Sequence, residues 1–162
     1  MKQKTAIYPG TFDPVTNGHL DIIERSGHLF GKIVVAILIN PEKDPIFSAE
    51  ARKKLIEEAL ESSMPDVEVD VFQGLLVDYA KRKDADVIIR GIRAVSDYEY
   101  ELQMALMNRR LEPGIETLFM LPAENYSYLS SHLVREIAEN GGSISGLVPE
   151  VVEKRLLEIL SE

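Results

Sequence analysis

A repeated change of hydrophobic period constrains the fold of this chain more than any other feature. Short β-branched runs, TAIY, KIVVAILI, VEVDVF, DVIIRG and ETLFML, alternate with longer stretches whose apolar residues recur every three or four positions. A strand shows successive side chains to opposite faces, whereas a helix buries one stripe, so each switch marks the passage from a strand to a helix. Five such switches predict an α/β fold: a doubly wound, five-stranded parallel sheet with helices on both faces and a C-terminal helix, PEVVEKRLLEIL.

Local chemistry supports these boundaries. Ser48 is placed to cap AEARKKLIEEALES, Ser96 with Glu99 has the spacing of a capping box, and Gly141-Gly142 stops LVREIAEN. Pro149 suits the first turn of the last helix. His28 falls near the end of the first helix, where a cation is favoured. No repeat, low-complexity tract or Pro/Gly/Ser-rich linker interrupts the chain, and residues 1–162 are read as one domain.

Composition excludes several function classes. The net charge of −9 opposes a nucleic-acid partner, which massed Lys and Arg would have to hold. Without cysteine there is no thiolate catalysis, disulfide or Cys-based zinc site. The N-terminal MKQKTAIYPG lacks the apolar stretch of a signal peptide, and the longest apolar run, Ile33 to Ile39, falls far short of the roughly 20 residues that span a bilayer. A cytoplasmic protein with no membrane partner is the expectation.

The unusual residues fall at the carboxyl ends of the expected strands, where open parallel sheets bind ligands. YPGTFDPVTNGH follows the first strand, NPEKDPIF the second, QGLL the third, RGIR the fourth and PAENYSYLSS the fifth. In the first, Gly10 lets the backbone turn, Asp13-Pro14 and Asn17-Gly18 are turn chemistry, and His19 stands at the positive end of a helix suited to a phosphate. The same histidine has the position of a helix cap. In the fourth, Arg90 and Arg93 flank Gly91 and Ile92 as an anion-binding pair, to which Lys43 adds a third cation.

Ser130 and Ser131 are placed either as helix caps or as holders of phosphate oxygens, with His132 and Arg135 nearby. The segment YEYELQMALMNRRL is apolar nearly all round, which fits a central buried helix or a subunit interface. Glu101 inside it is suited to accept from a ribose hydroxyl or an adenine amine, or to pair with Arg109 or Arg110. Two common phosphate motifs are absent. There is no G-x-G-x-x-G, and GHLFGKI has three residues between its glycines, where a P-loop has four, and runs into a strand.

With these residues assembled, the chain resembles the phosphopantetheine adenylyltransferases of the nucleotidyltransferase superfamily. TNGH matches the superfamily's T/H-x-G-H, and YPGTFDPVTNGH, IRGIRAVSDYEYELQMALMNR and YSYLSSHLVRE match the family in order and spacing over essentially the whole chain. The resemblance implies a Rossmann-like nucleotidyltransferase fold and transfer of AMP from ATP to 4′-phosphopantetheine, giving dephospho-coenzyme A and pyrophosphate. It assigns Thr11, Lys43, Leu76 and Arg90 to phosphopantetheine. It assigns Thr11, Phe12, His19, Gly91, Ile92, Arg93, Glu101 and Tyr126, Ser127, Tyr128, Leu129, Ser130, Ser131 and His132 to ATP, with His19 and Lys43 catalytic. Relatives commonly carry Ser or Thr where this chain has His132.

The resemblance further implies magnesium with ATP, a homohexamer, and feedback inhibition by coenzyme A; the magnesium would bridge phosphates with few protein ligands, and the sequence names none of them. Two other readings remain at this point: an adenylyl- or cytidylyltransferase with a different acceptor, and a nucleotide-sensing module without turnover.

Overall fold

The five β-branched runs form five strands in a computed structural model that describes residues 4–60 and 66–161. They are β1 (Thr5–Gly10), β2 (Lys32–Leu38), β3 (Val67–Phe72), β4 (Val87–Gly91) and β5 (Glu116–Met120). Between and after them lie α1 (Asn17–Gly27), α2 (Ala49–Leu60), α3 (Leu76–Arg82), α4 (Val95–Leu111), α5 (Ser131–Glu139) and α6 (Glu150–Leu160), with a 3-10 turn at Glu124–Tyr126. The sheet is parallel throughout in the order β3-β2-β1-β4-β5. Strand order reverses between β1 and β4, which opens a crevice above their carboxyl ends.

β2 shows why a buried parallel strand reads as one continuous apolar run. Ile33, Val35 and Ile37 enter a larger core with α1, α2, α5 and α6, while Val34 and Ala36 enter a second core with α3. Each fully buried Ile or Val contributes about 1.5–3 kcal/mol, so this central strand is fixed from both faces. The edge strand β3 carries charge instead. Lys83 pairs with both Glu68 and Asp70, and Tyr79 donates to Asp70 at 2.9 Å, which discourages pairing with a foreign strand.

Several helix ends follow the sequence signals. Ser48 Oγ accepts from the Ala51 N–H at 3.1 Å, and Gly141 takes a positive φ of 75° just past α5. Residues 61 and 62, the end of the expected second helix, lie outside the described residues. His28 is the C-cap of α1, and Pro149 is the N-cap of α6, one residue ahead of the first turn.

Two expectations are corrected. No capping box forms at Ser96 and Glu99, because α4 starts at Val95 with Ala94 as its uncapped N-terminal residue. Nor is α4 a central buried helix: it buries only Glu101 and Asn108 and leaves Tyr100, Leu106 and Met107 more than half exposed. No helix among the described residues is long and apolar enough to cross a membrane.

Candidate active site

The turn after β1 is fixed by contacts with three other elements. Phe12 adopts a left-handed φ of 50°, a conformation costing about 1–2 kcal/mol for a non-glycine residue. Its buried ring offsets that cost by packing edge-on against Tyr8 at 5.4 Å and His19 at 5.0 Å between centroids. The ring also explains Gly10, where a β-carbon would stand 3.0 Å from it. Asp13, almost fully buried, accepts from the N–H groups of Ile46 and Phe47 at 2.9 and 3.0 Å. Arg52, equally buried on α2, donates to the Thr11 carbonyl at 2.8 Å. Arg135 donates to the Asp13 carbonyl, and Ser131 Oγ to the Pro14 carbonyl at 2.7 Å.

The next residues form a capping box of unusual composition. Thr16 is the N-cap of α1 and accepts from the His19 N–H at 3.3 Å, while His19 Nδ1 accepts from the Thr16 N–H at 3.0 Å. Histidine here does what Glu or Gln usually does. Because Nδ1 accepts, the neutral ring carries its proton on Nε2. Burial, and then the positive charge of Arg93, push the His19 pKa down to about 4. At neutral pH His19 is thus an uncharged donor whose other nitrogen is held by its own helix.

The helix N-terminus is also partly committed. The Asn17 N–H donates to the Leu147 carbonyl at 2.9 Å and the His19 N–H to Thr16, leaving Gly18 without a partner among the described residues. At α5, Ser130 is an N-cap accepting from the Leu133 N–H at 3.0 Å, and the adjoining Ser131 hydroxyl is held by Pro14. Both helix N-termini face one cavity, and both have the partial positive charge that suits phosphate.

The cations come from two strand ends, Lys43 after β2 and Arg90 and Arg93 at β4. Register between β1 and β4 sets Arg90 beside Pro9, whose carbonyl accepts from Nη1 at 3.2 Å. Glu101 takes the remaining face of that guanidinium with two bonds, from Nε at 2.8 Å and Nη2 at 2.7 Å. The partner of Glu101 is therefore Arg90; Arg109 pairs instead with Glu116. Burial alone would lower the Arg90 pKa, but the hydrogen bonds to Glu101 and its charge raise it. Arg93 donates to the Leu129 carbonyl at 3.1 Å and lies 3.5 Å from Asp97. Lys43 has no ion pair among the described residues.

The cavity so formed has a volume of about 600 Å³, in the range of small-molecule sites. Thr11, Phe12, His19, Lys43, Arg90, Gly91, Arg93, Glu101, Tyr126, Leu129, Ser130, Ser131 and His132 line it. Leu76, Ile92, Ser127 and Tyr128 do not. Leu76 begins α3 and packs against the second core, Ile92 is buried, and Tyr128 is exposed. Tyr8, Asp13, Thr16, Asp97 and Pro122 also line the cavity, and sequence reasoning assigned none of them to the site. Thr16 had a local signal, a hydroxyl three residues before His19. Asp13 and Asp97 had none, since their partners are set by the folded loops.

Comparison with known proteins decides the family. A cytidylyltransferase-like family model matches residues 7–137. A phosphopantetheine adenylyltransferase of Caldanaerobacter subterraneus subsp. tengcongensis is 54% identical over 96% of each chain. One from Desulfosudis oleivorans is 57% identical over 96% of this chain and 92% of its own. The chain belongs to the phosphopantetheine adenylyltransferases. A structure from Vibrio parahaemolyticus described as a nicotinate-nucleotide adenylyltransferase shares the fold, with a TM-score of 0.70 at 17% identity over 98% of this chain and 95% of that one. For a phosphopantetheine adenylyltransferase, the position of the cavity at the reversal of strand order is where a nucleotide is expected.

Proposed function

We propose that the chain transfers the adenylyl group of ATP to 4′-phosphopantetheine, giving dephospho-coenzyme A and pyrophosphate, by direct in-line attack on the α-phosphorus. One observation beside the family carries this reading: two helix N-termini and three cations, Lys43, Arg90 and Arg93, converge on a single cavity. The nucleophile is already a phosphate anion, so no serine, cysteine or covalent intermediate is required. The protein's task is positioning and stabilisation of charge on the equatorial oxygens.

In this scheme His19 Nε2 and the Gly18 N–H donate to the reacting phosphate, Lys43 neutralises charge beside it, and Arg90 grips the incoming phosphate with the N–H groups that Glu101 leaves free. Arg93 and the N–H groups of Ser131 and His132 hold the leaving pyrophosphate. Among the described residues no group of three or more His, Asp or Glu could cage a metal ion; of the cavity carboxylates, Asp13, Asp97 and Glu101 already serve N–H groups or arginines, which leaves Asp44 alone. Magnesium therefore fits as a companion of the ATP phosphates, where it would neutralise their charge.

The chain further acts as a cytoplasmic homohexamer, with coenzyme A competing for the cavity through the phosphopantetheine arm it shares with the substrate. The exposed apolar residues of α4 support self-association. The deciding test is pyrophosphate release from ATP and magnesium, with and without 4′-phosphopantetheine, with mass spectrometry of the product. Dephospho-coenzyme A formed at a phosphopantetheine-dependent rate is expected; intact ATP after long incubation would favour a nucleotide-binding module.

A further inference from the structure

Tyr8 is only 4% exposed, yet it lines the cavity. Its hydroxyl makes no hydrogen bond within the described residues, although no fully buried side-chain oxygen or nitrogen among them is left without a partner. The hydroxyl is therefore not sealed in the core: it opens onto the cavity. The ring is fixed against Phe12 and lies 6.4 Å from the His19 ring, so it cannot swing to find another acceptor.

The position of that hydroxyl is informative. It approaches the main chain at Gly91, where a β-carbon would lie 3.6 Å from it and 2.9 Å from Ile22 Cδ1. Gly91 lies between Arg90 and Arg93 in the chain, and both cations act electrostatically on the phenol. The carboxylates that act on it are taken, Glu101 by Arg90 and Asp21 by Arg25 and the Ala123 N–H. Burial raises the phenol pKa, so the group is a donor at all working pH values.

We infer that the Tyr8 hydroxyl donates a hydrogen bond to a phosphoryl oxygen of the substrate bound between Arg90 and Arg93, making Tyr8 a further ligand-contacting residue. This rests on the adenylyl-transfer reading above, and the phosphoryl oxygen belongs to ATP or to phosphopantetheine. Open to the cavity and without a bond to the fold, the hydroxyl adds nothing to the stability of the free protein and gains an acceptor in the complex. Its removal therefore lowers affinity while leaving stability intact, a signature that a merely structural tyrosine lacks.

The test is calorimetric titration of wild type and Tyr8→Phe with ATP alone and with 4′-phosphopantetheine alone, beside the thermal midpoint of each free protein. A hydrogen bond to a charged acceptor implies roughly tenfold or greater weakening in the variant for at least one ligand. The midpoint of the variant should be unchanged or higher, and the ligand affected identifies the phosphate. Equal affinities of the two proteins for both ligands would overturn the inference. So would weaker binding together with a lower midpoint, which would make the hydroxyl part of the fold. A wild type that binds neither ligand would overturn the functional reading and this inference with it, whereas a binding wild type matched by its variant overturns this inference alone.

Discussion

Helices α1 and α4 follow adjacent strands, yet they bury opposite kinds of residue. The eleven residues of α1 bury Ile22 and Ile23, and its N-terminus is closed by its own Thr16–His19 box. The seventeen residues of α4 bury Glu101 and Asn108, expose Val95, Tyr100, Leu106 and Met107, and begin without a side-chain cap. Both helices deliver groups to the same cavity, Gly18 and His19 from the first, Asp97 and Glu101 from the second. The first helix is held by this chain's own core, while the second leaves its apolar surface exposed, which is what the proposed self-association would cover.

The largest expected effect lies on α1. Loss of one preorganised donor to developing oxyanion charge costs about 10²–10³ in rate. His19→Ala should lower kcat by that factor with little change in either KM; steady-state kinetics showing a raised KM and an intact kcat would make His19 a ground-state contact. The same helix should carry stability. Ile23→Ala removes a fully buried side chain and is expected to cost about 2–5 kcal/mol in urea unfolding. The mirror experiment is Leu106→Glu on exposed α4. It should change unfolding of the monomer by no more than about 0.5 kcal/mol yet dissociate the proposed homohexamer in light scattering. A wild type that scatters only as a monomer would end the contrast.

The sheet and the position of the site were legible because they depend on local pattern. The period switches named all five strands, and glycine, turn residues and arginines at strand ends marked the crevice. What the pattern left open was what covers an apolar face, so YEYELQMALMNRRL fitted a buried helix as well as an exposed one. Pairings between distant segments were equally hidden. Arg52 reaches Thr11 across 41 positions and Asp13 reaches Phe47 across 34, and only the folded sheet brings them together. Arg109 and Arg110 were the partners the sequence suggested for Glu101, and the fold instead sets it against Arg90 at the end of β4.

Two smaller effects sharpen the comparison. Glu101→Gln removes the charge that holds Arg90, and about a tenfold fall in kcat/KM is expected, carried mainly by KM for phosphopantetheine. A fall of the same size in Arg109→Gln would show that α4 acts through its ordering as a whole. The other effect is one of pH. The folded pKa of His19, about 4, lies below its ordinary value of 6.5. The unfolded chain therefore binds more protons between these values. The His19 contribution to stability is complete above about pH 6.5 and is lost as pH falls toward 4. Urea midpoints of wild type and His19→Gln should converge over that window and run parallel above it.

The buried carboxylate of Asp13 has a consequence for catalysis that extends beyond its two hydrogen bonds. By pinning the N–H groups of Ile46 and Phe47, it turns the segment that carries Lys43 into a short bridge anchored at the end of β2 and again at the first turn. A lysine on a free loop would sample a wide volume and lose that freedom anew with each substrate. Here the restriction is imposed once, when the chain folds, so in the proposed transfer the ammonium would meet each phosphate at a high effective molarity.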